Sequence, residues 1–274
     1  LEAIVPELPE VANRAAEMHA SLCGRTIIKI EILQPKCLNL SSAQFRRALV
    51  GARVIAVSSR GKWIFVETTG GWLLLNLGMG GEILLVPCSK LPEKWRLCFH
   101  LDDGRCFAVN FWWFGYAHFV EQNGLPQHKM TAKLGPDALT LSADALYLDI
   151  RGRRARVKSY LLNQSNLAGI GNAYVHDILF LARLHPLRTL DTLTRADVDR
   201  LWEAIQAGLL PSLKLGGAHY ELDLFGEPGG FSMDNVLIGY REGLPCPSCG
   251  REIEKIKTGT TSSFICASCQ PLPS

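Results

Sequence analysis

The chain has 274 residues, 47% of them hydrophobic and 20% charged, with 29 Lys and Arg against 26 Asp and Glu. That length accommodates two domains, or one domain and a small module, and the apolar fraction excludes a disordered or fibrous chain. A formal net charge of +3 excludes a globally polycationic binder but leaves room for a locally basic face.

Helix signals come first. Behind LEAIV and the quartet Pro6-Glu7-Leu8-Pro9, the spacing of Val11, Ala15, Met18 and Leu22 predicts a helix over residues 9–23, stopped by Gly24. Pro9 falls in the first turn, where its missing N–H costs nothing. From Thr26 to about Phe119 the runs RTIIKIEIL, RVIAVSSR, KWIFVETT, WLLLNL, EILLV, WRLCFHL and CFAVNFW read as short strands separated by turns. So many strands at short intervals predict a β-sandwich or barrel. A linker-like stretch, EQNGLPQHKMTAKLGPDALTLS, follows. Residues 143–213 turn helical: ADALYLDIRG, RVKSYLLNQ, NAYVHDILFLARLHP and TRADVDRLWEAIQAGLLPSL. The third begins after GIGN, where Asn172 can cap it, and stops before Pro186. A polar, Gly-rich loop, LFGEPGGFSMDN, leads to a small closing unit.

No stretch reads as a membrane span: the most apolar, GWLLLNLGMGGEILLV, holds four glycines, Asn76 and Glu82 and falls short of the ~20 apolar residues required. The amino end lacks the basic region and long apolar run of a secretory signal. Of nine cysteines, Cys23, Cys37, Cys88, Cys98 and Cys106 are scattered and four are clustered. An odd total without a regular framework points to a reducing cytosol.

Several motifs carry chemistry. Cys246, Cys249, Cys266 and Cys269 form C-x2-C-x16-C-x2-C around two short β-runs, which suits a tetrahedral Zn²⁺ on a β-hairpin; two disulfides are the alternative that the compartment disfavours. Four thiolates leave no open position, so such a zinc is structural. The segment LLNQSNLAGIGNAYVHDILFLARLHPLR reads as a helix–turn–helix whose glycines let backbone N–H groups approach a phosphate; a hairpin packed only for stability is the plainer reading. Lys62, after Arg60 and Gly61, is either a solvated turn lysine or a phosphate or catalytic lysine. Met79, between Gly78 and Gly80, is presented at a turn and can act as a wedge. Pro6 is either helix punctuation or a nitrogen meant for chemistry.

These segments, in this order, resemble the formamidopyrimidine-DNA glycosylase / endonuclease VIII family, in PELPEV, RGKW, LGMGG, the GIGN segment, GEPGGF and the closing cysteines. The resemblance implies an α+β multidomain fold: an N-terminal helix plus β-sandwich over 1–125, a helix–two-turn–helix domain over 126–240 and a β-hairpin zinc finger over 241–274. It implies a monomeric, cytoplasmic, bacterial-type and nucleoid-associated enzyme, with damaged DNA as partner and structural zinc as cofactor. By likeness Pro6 attacks C1′ of a flipped nucleoside and forms a Schiff base, giving base removal with AP-lyase cleavage. Glu7 handles protons, Lys62 contacts phosphate and assists, and Met79 fills the gap left by the base. Gly171, Asn172 and Lys158 contact DNA, and Glu7, Lys62 and Asn172 line one cleft. His219, Tyr220 and Glu221 are candidates for the lesion pocket.

Four departures bear on these expectations. With Val5 attached, the Pro6 nitrogen is a tertiary amide and no nucleophile, so either residues 1–5 are removed, or another group attacks, or the chain is a non-catalytic or monofunctional relative. Trp112, Trp113 and Phe114 replace a family stretch whose arginine reads the base opposite the lesion; aromatics stack there but do not pair with base edges, which predicts weaker opposite-base discrimination. The tryptophans packed into the sandwich are the plainer alternative. Thr261 stands where the finger usually offers an arginine, with Lys255 or Lys257 nearby, and Asn76 replaces the usual histidine before LGM.

Overall fold

The computed structural model describes residues 5–259 and 261–272. Two compact units divide the chain: one runs to Lys133 and includes Leu215–Gly230, the other comprises Leu134–Lys214 and continues from Phe231. A division in sequence order at 125/126 and 240/241 leaves Leu215–Gly230 with the helices, whereas its contacts lie with the sheets.

In the first unit, helix α1 (Leu8–Leu22) carries Pro9 in its first turn and buries Val11, Ala15, Met18 and Leu22 as one stripe. Glu7 is its N-cap: the Glu7 and Glu10 side chains form a reciprocal capping box, with the Glu7 N–H on Glu10 Oε2 at 3.0 Å. Strands β1 (Ile27–Ile32), β6 (Leu97–Leu101), β7 (Arg105–Asn110) and β5 (Glu82–Pro87) form one antiparallel sheet in that order. Strands β2 (Val54–Arg60), β3 (Trp63–Thr68), β4 (Gly71–Asn76) and β8 (Tyr116–Val120) form the other. Period-2 alternation fixes which faces meet. Leu97, Phe99 and Leu101 of β6 and Val66, Leu73 and Leu75 of the second sheet enter one core with the stripe of α1, leaving Cys98 and His100 on the outer side of β6.

Helix α2 (Ser42–Leu49) interrupts the region expected to be all strands. Its signal was present in the sequence: Ser41 and Gln44 form a capping box, and Phe45 and Leu49 bury one helical turn apart. A second correction concerns the scattered cysteines, since Cys88 and Cys106 are joined in a disulfide.

The returning segment is gripped by the polar face of α1. Glu10 Oε1 accepts the Ala218 N–H at 3.1 Å, and Glu17 Oε2 accepts that of Leu224 at 2.8 Å. Arg14, buried, donates to the Ile83 carbonyl at 3.0 Å and to that of Leu222. These three residues recur at i, i+4 and i+7, so one helix face clamps the segment against β5.

The second unit contains α3 (Ala143–Ile150), α4 (Val157–Leu162), α5 (Val175–Leu181) and α6 (Arg195–Lys214), then the hairpin β9 (Glu254–Lys257) and β10 (Ser262–Ile265). Helix α5 is shorter than its periodicity predicts and its N-cap is Tyr174, not Asn172. Phe180 of α5 shares a small core with Ile238, Ile253 and Phe264 of the closing region. Asp177 accepts the backbone N–H groups of Leu237, Ile238 and Gly239 at 2.7, 2.9 and 2.9 Å, fixing the entry to the finger. Among the described residues no helix is long and apolar enough to cross a membrane.

Candidate active site and nucleic-acid interface

Pro6 is buried immediately ahead of α1, and the capping box fixes the direction of the peptide that follows it. Glu7 is 2% exposed, and Lys62 Nζ stands 3.6 Å from its Oε1. Lys62 reaches this position from the turn between β2 and β3, which Gly61 closes at φ +57°. A buried carboxylate is tolerable only with such partners. Thus Pro6, Glu7 and Lys62, separated by more than fifty residues of sequence, meet in one place in the first unit.

Asn76, in the position of the family histidine, ties two turns together. Its Nδ2 donates to the Lys62 carbonyl at 2.8 Å, and its Oδ1 accepts the Gly78 N–H at 3.2 Å. Beyond it Met79 exchanges two backbone hydrogen bonds with the loop after β7: Met79 N–H to the Trp113 carbonyl at 2.9 Å and Trp112 N–H to the Met79 carbonyl at 3.0 Å. The loops approach so closely that a Cβ on Gly78 would lie 2.2 Å from the Trp113 oxygen. Trp112, Trp113 and Phe114 are 65%, 65% and 71% exposed, so neither tryptophan packs into the sandwich. Phe114 sits at φ +57°, a left-handed conformation uncommon for a bulky residue. A partly exposed methionine and three aromatic rings therefore project from two mutually braced loops.

Candidate lesion residues occupy the segment that α1 holds. Burial beside the carboxylates of Glu10 and Glu82 pushes the Glu221 carboxyl up to about 8, with Arg14 opposing. The group is therefore mostly protonated at neutral pH and can both donate and accept a hydrogen bond.

The second unit holds the remaining candidates. Gln164 organises the GIGN turn: its Nε2 donates to the Ile170 carbonyl at 2.8 Å and its Oε1 accepts the Gly169 N–H at 2.9 Å. Asn172 Nδ2 lies 3.4 Å from the Tyr240 hydroxyl, while its Oδ1 is buried with no donor among the described residues. Lys158, expected at the nucleic acid, is instead 3% exposed and turned into the hairpin. Its ammonium meets Thr258 Oγ1, Thr261 Oγ1, the Ser262 carbonyl and Ser263 Oγ at 3.3, 3.1, 2.6 and 2.9 Å. Burial pulls it down to about 8. His176 lies beneath the same hairpin, its Nδ1 accepting the Phe264 N–H at 3.4 Å, and burial pulls it down to about 3.

The four clustered cysteines place their sulfurs within 4.8 Å of one another. Cys246 and Cys269 stand 3.9 Å apart and Cys249 and Cys266 3.4 Å, close to the ~3.8 Å edge of a tetrahedron with Zn–S near 2.3 Å. Four sulfurs at this spacing fit Zn²⁺ and no disulfide joins them, so the closing unit is a structural zinc finger.

Comparison with known proteins agrees with this arrangement. The formamidopyrimidine-DNA glycosylase N-terminal domain matches residues 5–110, the H2TH domain of that enzyme matches 134–223, and the zinc finger found in FPG and IleRS matches 243–272. The formamidopyrimidine-DNA glycosylase of Marinomonas sp. (strain MWYL1) is 30% identical, covering 97% of this chain and 100% of its own. That of Symbiobacterium thermophilum is 33% identical over 98% and 90%. Among solved structures, the Lactococcus lactis FPG mutant G226P in complex with Fapy-dG-containing DNA superposes with a TM-score of 0.90 at 27% identity, covering 97% of this chain and 100% of that one. MutM (FPG) of Thermus thermophilus does so with a TM-score of 0.86 at 28% identity, over 98% and 100%. Full-length likeness in sequence and in fold places this chain in the formamidopyrimidine-DNA glycosylase family.

Proposed function

We propose that the chain is a base-excision repair DNA glycosylase with AP-lyase activity, acting on a damaged nucleoside turned out of the helix. The observation that carries this reading is the meeting of Pro6, Glu7 and Lys62 at the capped start of α1. Once its nitrogen is free, Pro6 is a secondary amine whose pKa, roughly that of an α-amino group at 7.7–8.0, leaves a useful unprotonated fraction at neutral pH. It attacks C1′; the bond from C1′ to the base breaks, and the electron pair departs with the base, which takes up a proton. The proline nitrogen gives up its proton and the C1′–O4′ bond opens, O4′ taking a proton; the iminium so formed acidifies C2′–H, whose loss expels the 3′-phosphate by β-elimination. Glu7 moves protons at the sugar and leaving base. Lys62 balances the Glu7 charge and contacts the phosphate of the extruded nucleotide.

In this proposal the GIGN turn, through the backbone N–H of Gly171 and the side-chain amide N–H of Asn172, holds phosphates beside the lesion. Lys158 acts through the finger: it positions the hairpin tip and does not itself meet DNA. The chain works as a monomer in the cytoplasm, at the chromosome. Formamidopyrimidine lesions, as in the Lactococcus lactis complex, are the substrate class to test first. In a chain that begins at Pro6, Glu7→Gln is expected to lower single-turnover excision on the order of 10²–10⁴-fold while leaving duplex binding in place. Undiminished excision would remove Glu7 from the chemistry.

Met79 fills the gap left by the extruded base, and Trp112, Trp113 and Phe114 stack against what remains. An indole has no fork with which to pair a base edge. Excision rates opposite each of the four bases are therefore expected to agree within about 3-fold, where one good bidentate contact would separate them by roughly 1–3 kcal/mol. Trp113→Arg should restore a preference. A strong preference in the native chain would mean that another residue reads the partner base.

A further inference from the structure

On the outer side of the first sheet the Cys88–Cys106 disulfide meets a histidine, which in turn holds a carboxylate. His100 lies directly across from Cys106 in the β6–β7 register, with Nδ1 3.3 Å from the Cys106 sulfur. Its other nitrogen, Nε2, donates to Glu31 Oε1 at 2.6 Å. Glu31 accepts only, so the carboxylate fixes the tautomer and aims the Nδ1 lone pair at sulfur. Lys29, opposite His100 in the β1–β6 register, bonds the same Glu31 oxygen at 2.9 Å. The hydrogen bonds from Lys29 and His100 hold the Glu31 carboxyl below its usual range. Cys98, opposite Glu31 in the β1–β6 register, lies on the same outer face. The two cysteines differ in exposure: Cys106 is buried at 0% exposure, while Cys88, just past the end of β5, is only partly buried.

We propose that Cys88–Cys106 is an exchangeable disulfide, opened by low-molecular-weight thiols that attack Cys88 and expel Cys106 onto a His100–Glu31 relay. The incoming thiolate bonds to Cys88 Sγ as the Sγ–Sγ bond breaks, and the electron pair leaves on Cys106 Sγ. His100, protonated at Nδ1 from solvent and held by Glu31 at Nε2, pairs with that thiolate and makes it a good leaving group. A second small thiolate attacks the outer, small-thiol sulfur of the mixed disulfide; the electron pair leaves on Cys88 Sγ, which takes a proton from solvent, so the oxidised small thiol is released and the two-electron reduction of the protein bond is complete. Cys88 is thus a thiolation site and Cys106 the buried partner that closes it again. A bridge partly exposed at one end, in a reducing compartment, is where such traffic is expected.

Full-length, zinc-loaded protein is incubated with glutathione at pH 7, quenched with an alkylating agent and mapped by peptide mass spectrometry. The expected result is glutathione on Cys88 alone, followed by two free thiols, with the finger cysteines unmodified. His100→Ala should slow release of Cys106 on the order of 10-fold, and Glu31→Gln should slow it less. Should His100→Ala not fold, Glu31→Gln carries the comparison. The reduced protein should melt roughly 5–10 °C below the oxidised one, because a cross-link restricts the unfolded chain. Free thiols at both positions in air-equilibrated protein, glutathione on Cys106, or equal rates in wild type and Glu31→Gln would each overturn the proposal. So would a second equivalent of zinc in the reduced protein that His100→Ala abolishes, since the group would then be a metal centre.

Discussion

A chain whose first residue is Pro6 is expected to form a covalent adduct with abasic-site DNA under borohydride, whereas the same chain with Val5 still joined to Pro6 is expected to form none. The difference should exceed 10³-fold, because it is one of chemical identity. An imino nitrogen has a basic lone pair; an amide nitrogen has given its pair to the adjoining carbonyl. The surroundings of Pro6 are not expected to compensate: the capping box acts on Glu7, and the nearby Lys62 ammonium is engaged in an ion pair with the Glu7 carboxylate at 3.6 Å. Peptide mapping of the trapped species identifies the attacking residue. Adduct formed by the extended chain would move the nucleophile to another group, with Lys62→Ala as the next variant to test. Pro6→Ala is the more exacting control: a terminal alanine keeps a free primary amine but loses the ring, so residual trapping measures how much the secondary amine contributes.

Removing zinc is expected to have the second largest effect. Structural Zn²⁺ binding by four thiolates is worth about 10–16 kcal/mol in isolated fingers, and the closing unit has little else. Among the described residues its buried apolar cluster is small: Ile238, Ile253 and Phe264 with Cys246 and Cys266, packed on Phe180 of α5. Chelation should release one equivalent of zinc, deprotect residues 243–272 in hydrogen exchange and weaken duplex binding at least about 10-fold. Exchange in α1 and both sheets should not change. Lys158 makes the effect specific: once Thr258, Thr261, Ser262 and Ser263 leave, its ammonium loses every partner that justified its burial. Unchanged duplex affinity after metal loss would make the finger dispensable for binding.

Much of this organisation was legible in the sequence because it rests on local rules. The stripe of α1, the alternating strands and the paired C-x2-C knuckles each show a period or a spacing that physics requires. Pro6 and Glu7 were singled out through a motif and Lys62 through its place after Arg60 and Gly61; the structure sets Lys62 Nζ 3.6 Å from Glu7 Oε1. What was not legible depends on contacts at a distance. Nothing in Leu215–Gly230 says that it returns to the sheets; the signal lies in Glu10, Arg14 and Glu17, two hundred residues earlier and individually ordinary. Lys158 reads as any helix lysine until the hairpin closes over it. Cys88 and Cys106, 18 residues apart, carry no signature, since strand pairing alone brings them together. Asn172 follows a turn where caps are common, yet α5 begins three residues later.

Glu10 belongs to both halves of the proposed chemistry without touching either reactant. One of its oxygens holds the Glu7 amide and the other the Ala218 amide. A rigid carboxylate of about 2 Å span thus yokes the recognition strap to the attacking terminus. On the proposed reading, the seat of the base and the placement of the amine are tied together through this one side chain, so Glu10→Gln is expected to slow excision without unfolding the sheets.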